Sequence, residues 1–146
     1  MAVPPPAARR DATALKLDGH AQILYVEDNP ANVAFMRDLL ETLESLELVT
    51  ASTAESGIAQ ARALCPALII MDINLPGMSG LEALQILRDA AETKHIPVIA
   101  LTAAASERDK QRGLQAGFAR YLTKPVNVDE FASALESVLR DAGASS

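Results

Sequence analysis

Apolar positions along the chain fall into two alternating textures. Short continuous runs, Ile23-Leu24-Tyr25-Val26, Leu48-Val49-Thr50-Ala51, Leu68-Ile69-Ile70-Met71, Val98-Ile99-Ala100-Leu101 and Arg120-Tyr121-Leu122, are separated by longer amphipathic stretches. Brief unbroken runs predict strands covered on both faces, because a strand with one wet face alternates instead. The stretches between them carry helix signals. Asn29-Pro30 sets a capping residue before a proline at the first helical position. Phe35, Met36, Leu39, Leu40 and Leu43 then recur at helical spacing. Ser52 with Glu55 and Ser79 with Glu82 fit capping boxes, and Asn127 with Glu130 a looser one. The last opens a stripe of Val128, Phe131, Leu135, Val138 and Leu139, and a helix from Ser106 to Ala116 is predicted to stop at Gly117. A strand followed by a helix, five times over, predicts an α/β fold: a five-stranded parallel sheet with helices on both faces.

The chain ahead of the first strand has no such periodicity. Residues 1–20, with Pro4-Pro5-Pro6 near the start, are expected to form a disordered tail or linker, and one folded domain is expected over 21–146. His20 closes the tail and is read as a bystander. Arg9-Arg10 does not open an export signal, because Asp11 to His20 holds no apolar stretch. No apolar run approaches the ~18 residues of a membrane span.

Composition narrows the function classes. Hydrophobic residues make up 49% of the chain while aromatics make up 3% and Trp is absent, so the core must be aliphatic. A net charge of -6 and a pI of about 4.8 argue against a nucleic-acid surface and suit a protein partner or a divalent cation. One cysteine, Cys65, cannot form an internal disulfide, which fits a reducing compartment; a cytoplasmic location is expected. Cys65 itself is read as a small buried or half-buried hydrophobe at a helix end.

The chemistry gathers at the strand ends. The first strand runs into Glu27-Asp28, the third into Asp72, the fourth into Thr102, and the fifth into Lys124-Pro125. In a parallel sheet these ends share one edge, where ligands of such folds sit. Each residue alone has a plain structural reading as a cap, a turn residue or a solvated charge; their joint placement is what points to a site. Clustered carboxylates repel and call for a cation. Oxygen donors suit Mg²⁺, which favours one or two carboxylates with phosphate oxygens. An Asp carboxylate can be a nucleophile toward phosphorus, and phosphoryl transfer needs charge neutralisation and positioning more than acid-base groups. Lys124 can supply the positive charge and Thr102 a hydrogen bond.

Four segments carry a family resemblance: Val26-Glu27-Asp28-Asn29, Met71 through Gly80, Ile99 through Ala103, and Tyr121-Leu122-Thr123-Lys124-Pro125. Together they resemble the receiver domains of response regulators and hybrid histidine kinases, over about Gln22 to Arg140. Asn29-Pro30-Ala31-Asn32-Val33 is most similar to hybrid-kinase or single-domain relay receivers. The resemblance implies a three-layer flavodoxin-like sandwich with strand order 2-1-3-4-5. It implies that Asp72 accepts a phosphoryl group from the phosphohistidine of a histidine kinase or histidine phosphotransfer protein, and that a downstream protein partner reads the result. It further implies Mg²⁺ held by Asp28, Asp72, the main-chain carbonyl of Asn74 and Glu27, the last directly or through water. Thr102 and Lys124 would contact the phosphoryl oxygens, and Tyr121 would be a switch aromatic answering Thr102. Such a domain catalyses its own phosphorylation and dephosphorylation without being a conventional turnover enzyme. Glu27 departs from the Asp that many members carry. No effector-sized segment follows the fifth helix within these 146 residues, which argues against a transcription factor.

Val33, off the first helix's stripe and near the active edge, and Pro125 are the candidate docking residues for the histidine donor. Two other classes remain open at this point. A phosphatase of the haloacid dehalogenase type would typically need a second Asp where this chain has Asn74, and a receiver-like scaffold would have lost Asp28, Asp72, Thr102 or Lys124.

Overall fold

In the computed structural model, residues 21–41 and 46–145 are described; the tail over 1–20, His20 and Leu43 lie outside them. The strands are β1 (Ala21–Val26), β2 (Leu46–Ala51), β3 (Leu68–Met71), β4 (Val98–Thr102) and β5 (Arg120–Thr123). They alternate with α1 (Pro30–Glu41), α2 (Ala54–Leu64), α3 (Gly80–Asp89), α4 (Glu107–Ala116) and α5 (Val128–Ser145). All four strand pairings are parallel and the order is β2-β1-β3-β4-β5. The chain starts at β1, adds β2 on one side, then crosses to build β3, β4 and β5 on the other. The strand order therefore reverses between β1 and β3.

Period-two alternation sorts the strand side chains into two cores. Leu24, Val26, Ile69, Met71, Val98 and Ala100 pack against α2 and α3, through Ile58, Ala61, Leu84 and Leu87. Ile23, Tyr25, Leu68, Ile70, Ile99 and Leu101 pack against α1 and α5, through Met36, Leu40, Phe131 and Leu135. Each Val, Leu, Ile, Met or Phe among them contributes roughly 1.5–3 kcal/mol when taken out of water. Both faces of β3 and β4 are fully covered, which is why their sequences read as unbroken apolar runs.

Helix ends follow the cap chemistry with one exception. Asn29 Oδ1 accepts the Ala31 N–H at 2.8 Å at the start of α1. At α3 the box is complete: Ser79 Oγ accepts the Glu82 N–H at 3.2 Å and Glu82 Oε1 accepts the Ser79 N–H at 3.0 Å. Ser106 caps α4, and Gly117 ends it at φ 122°. The exception is α2, where Thr53 rather than Ser52 is the cap, its Oγ1 accepting the Ser56 N–H at 3.0 Å. The helix therefore begins one residue later than the Ser52–Glu55 spacing predicts.

Three apolar expectations are corrected. Phe35 is 49% exposed, because Met36 and Leu40, one turn apart, take the sheet-facing line of α1 and leave Phe35 about 100° off it. Val128 is 48% exposed in the first turn of α5. Cys65 is exposed, not buried: it caps α2 in the left-handed conformation at φ 46°, its N–H bonded to the Ala61 carbonyl at 2.9 Å. Among the described residues, no helix is long and apolar enough to cross a membrane.

One close approach braces the edge where β3 ends. A Cβ on Gly80 would lie 2.4 Å from the Asp72 carbonyl oxygen and 2.8 Å from Ile73 Cα. Glycine alone lets α3 start against the backbone of Asp72, with the Gly80 N–H bonded to the Ile73 carbonyl at 2.8 Å. Gly80→Ala is expected to destabilise the fold by about 1–3 kcal/mol through overpacking, and Ser79→Ala by about 1 kcal/mol through the lost cap. Urea unfolding of both variants checks this; an unchanged midpoint for Gly80→Ala would contradict the close approach.

Candidate functional site

Register brings the site residues together before any side chain acts. Val26 of β1 pairs with Met71 of β3, so Glu27 and Asp72 leave adjacent strands in step. Three backbone bonds carry the order one residue past the strands. The Asp72 N–H donates to the Val26 carbonyl at 3.2 Å, the Glu27 N–H to the Ala51 carbonyl at 2.9 Å, and the Lys124 N–H to the Thr102 carbonyl at 2.9 Å. The functional positions are thus held by the sheet itself. They lie at the carboxyl ends of β1 and β3, where the strand order reverses, which is where open α/β sheets bind ligands.

The side chains form a connected network. Lys124 Nζ lies 2.7 Å from Glu27 Oε1 and 2.8 Å from Asp72 Oδ2. Glu27 is 2% exposed and Asp72 6%. Two carboxylates this buried and this close are tolerable only with a cation shared between them. Glu27 Oε1 also accepts from the Tyr25 hydroxyl at 3.1 Å, and Glu27 Oε2 accepts the Asn29 N–H at 3.1 Å. Asp72 Oδ1 accepts the Asn74 N–H at 3.1 Å. Every oxygen of both carboxylates therefore has a donor. Burial alone would lower the Lys124 pKa, but the hydrogen bonds to Asp72 and Glu27 and their negative charge outweigh it and hold the ammonium above the ordinary lysine value. Burial, then the charge of Glu27 and the hydrogen bond to it, then the charge of Asp72, keep the Tyr25 phenol protonated far above the usual tyrosine range.

Asp28 follows Glu27 and is exposed. Glu27, Asp28 and Asp72 each offer a carboxylate oxygen, and the three oxygens lie within 4.8 Å of one another. Three hard, anionic oxygen donors at this spacing fit a small divalent cation such as Mg²⁺. Asn74 is exposed beside them.

The Thr102 side of the site is tied to Tyr121 through one residue. Thr102 is fully buried, and its Oγ1 accepts the Ala104 N–H at 3.4 Å. The Tyr121 hydroxyl donates to the Ala104 carbonyl at 2.7 Å. The Tyr121 ring is half-buried against α4, where Gly113 leaves it room. Burial, with the charges of Asp109 and Asp72, raises the Tyr121 pKa.

The docking candidates differ from expectation in one respect. Pro125, after a cis Lys124-Pro125 bond, is exposed. Val33 is half-buried against the α1/α5 core rather than free on the surface, and it lines an open depression of about 350 Å³ with Asp28, Pro30, Arg37 and Thr50. His95 is exposed on the segment before β4 and stands outside the network. The residue that sequence reasoning passed over is Tyr25, taken only as part of a strand; its two-residue spacing from Glu27, which puts both on one face of β1, was the available signal.

Known proteins are similar to this chain in fold and in sequence. The response regulator receiver domain family model matches residues 23–136. The chain is 41% identical over 120 residues to the polar-differentiation response regulator DivK of Brucella ovis, covering 82% of this chain and 97% of that one. The receiver domain of a sensor histidine kinase from Pseudomonas aeruginosa PAO1, solved with a magnesium ion coordinated in its active site cleft, is 31% identical with a TM-score of 0.75, over 82% of this chain and 98% of that one. A CheY-like receiver domain protein from Methanospirillum hungatei is 28% identical with a TM-score of 0.79, over 87% and 99%. With matches of this extent on a parallel sheet of order 2-1-3-4-5, the chain belongs to the response regulator receiver domain family.

Proposed function

We propose that this receiver domain accepts a phosphoryl group on Asp72 from the phosphohistidine of a histidine kinase or histidine phosphotransfer protein, and signals the change to a downstream protein partner. The observation that carries the reading is the Lys124 ammonium, 2.8 Å from Asp72 Oδ2, at a strand end that also gathers Glu27 and Asp28. A carboxylate oxygen of Asp72 attacks phosphorus as the phosphorus–nitrogen bond of the donor breaks. The imidazole leaves with the electron pair and takes a proton from water, and Asp72 keeps the phosphoryl group as an acyl phosphate. Lys124 Nζ, already charged and already at Asp72, stabilises the negative charge on the phosphoryl oxygens without reorganising.

Mg²⁺ would be held by Asp28, Asp72, the main-chain carbonyl of Asn74 and Glu27, directly or through water. When bound it would neutralise the clustered carboxylates and phosphoryl oxygens. Thr102 donates to a phosphoryl oxygen once its hydroxyl turns from Ala104. Because the Tyr121 hydroxyl holds the same residue, this movement loosens Tyr121, and the face of α4, β5 and α5 shifts between two pre-existing arrangements. A cytoplasmic setting is part of this proposal, supported by the single Cys65, which can form no internal disulfide and suits a reducing compartment.

Incubation with Mg²⁺ and acetyl phosphate, read by intact mass, tests the chemistry. The chain is expected to gain one phosphoryl group, lost with Asp72→Asn or without Mg²⁺, and gained about 100- to 1,000-fold more slowly in Lys124→Met, the usual scale for a lost charge-stabilising donor. Absence of any gain in the unaltered chain, with no binding of beryllofluoride, would make it a silent scaffold. Val33→Glu is expected to slow transfer from a phosphohistidine protein by about tenfold, a cost of roughly 1.4 kcal/mol at a docking contact, while leaving acetyl phosphate uptake unchanged. Equal slowing of both reactions would remove Val33 from the docking surface.

A further inference from the structure

Glu27 is buried at the end of β1, and its side chain is one methylene longer than that of an Asp, so it has one more rotatable bond to hold still. The structure shows what does so. Glu27 Oε1 accepts from Tyr25 at 3.1 Å and from Lys124 at 2.7 Å, while among the described residues Glu27 Oε2 accepts the Asn29 N–H alone, at 3.1 Å. A carboxylate oxygen has about two acceptor sites. Tyr25 and Lys124 fill those of Oε1, and Oε2 keeps capacity to spare. Tyr25 can do this because it is fixed in turn: it is 1% exposed in the α1/α5 core, on the same face of β1 as Glu27.

We propose that Tyr25 is a positioning residue of the cation site, setting the rotation of the Glu27 carboxylate so that Oε1 serves Lys124 and Oε2 is left for a divalent cation or its water. The inference rests on the Asp72 reading above and deepens it. It also accounts for the extra methylene. An Asp at position 27 would draw its carboxylate back by up to about 1.5 Å, one carbon–carbon bond. The contact with Tyr25 would then lengthen beyond hydrogen-bonding range. The longer Glu27 and the phenol of Tyr25 thus belong together, and Tyr25 becomes indifferent when residue 27 is shortened.

The test is a double-mutant cycle on Mg²⁺ affinity by isothermal titration calorimetry, with Tyr25→Phe, Glu27→Asp and the pair in the full chain. Tyr25→Phe keeps the ring in the core and removes only the hydroxyl; urea unfolding verifies that each variant is folded. The expected result is a Kd about tenfold weaker in Tyr25→Phe, the lower end of what loss of an outer hydrogen-bond partner costs a metal site. Within the Glu27→Asp background, Tyr25→Phe should then cost nothing further. An unchanged Kd in Tyr25→Phe, beside an unaltered chain that binds Mg²⁺, overturns the inference and leaves the Asp72 reading standing. So does an equal loss in both backgrounds, which marks a general structural effect. An unaltered chain that binds no Mg²⁺ overturns the cation site itself, and the inference with it.

Discussion

The site at the edge of the sheet depends on one ammonium group lying between two buried carboxylates. Lys124 Nζ bridges Glu27 and Asp72 at 2.7 and 2.8 Å and supplies the positive charge that two buried carboxylates so close together call for. A buried charge of this kind does little for stability, since hydrophobic replacements often do as well. Its presence at a strand end is explained by chemistry. The bridge holds the Asp72 carboxylate in place and sets a positive group beside it, where under the proposed function the phosphoryl oxygens would arrive. Lys124 and a bound cation answer the same excess of negative charge, so the two must share the carboxylates. The separate donors to the two oxygens of Glu27 divide them for that purpose.

The fold makes this arrangement almost unavoidable once the sheet forms. Parallel strands point every carboxyl end to one edge, and the reversal of strand order between β1 and β3 leaves that edge uncovered by a crossover. Backbone bonds from Glu27, Asp72 and Lys124 continue the ladder one residue further. The chemical residues therefore inherit the order of the sheet, while Asp28, Asn74 and Pro125 stand exposed on the loops beyond. Gly80 lets α3 press against the backbone of Asp72 from behind. Thr102 and Tyr121 meet at Ala104, so the site reaches the α4 face through hydrogen bonds a few residues long.

Much of this was legible in the sequence, for a physical reason. Strands buried on both faces leave unbroken apolar runs, and their ends mark where polar residues converge; hence Glu27, Asp28, Asp72, Thr102 and Lys124 could be gathered without coordinates. Cap chemistry located α1, α3 and α4. It misplaced α2 by one residue because Ser52 and Thr53 can both accept an N-terminal amide, and only the backbone path chooses. Phe35 and Val128 fit the helical stripes but lie outside the contact line, since spacing gives the angle of a side chain and not the width of the surface that covers it. Cys65 was read as buried or half-buried from its residue type, whereas the left-handed turn it closes faces solvent. Tyr25 was hidden for the opposite reason: an aromatic in an apolar strand reads as core, and it is core, but its hydroxyl reaches the site.

The central claim is that Asp72, among the carboxylates at this edge, is the phosphoryl acceptor. Borohydride reduction of the chain after exposure to a phosphoryl donor and Mg²⁺, followed by fragmentation of the peptides, locates an acyl phosphate by the alcohol it leaves, homoserine from an Asp and 5-hydroxynorvaline from a Glu. The account predicts that conversion at residue 72 alone. Conversion at Glu27 or Asp28 instead, or none at residue 72 in a chain that has gained a phosphoryl group, would contradict it.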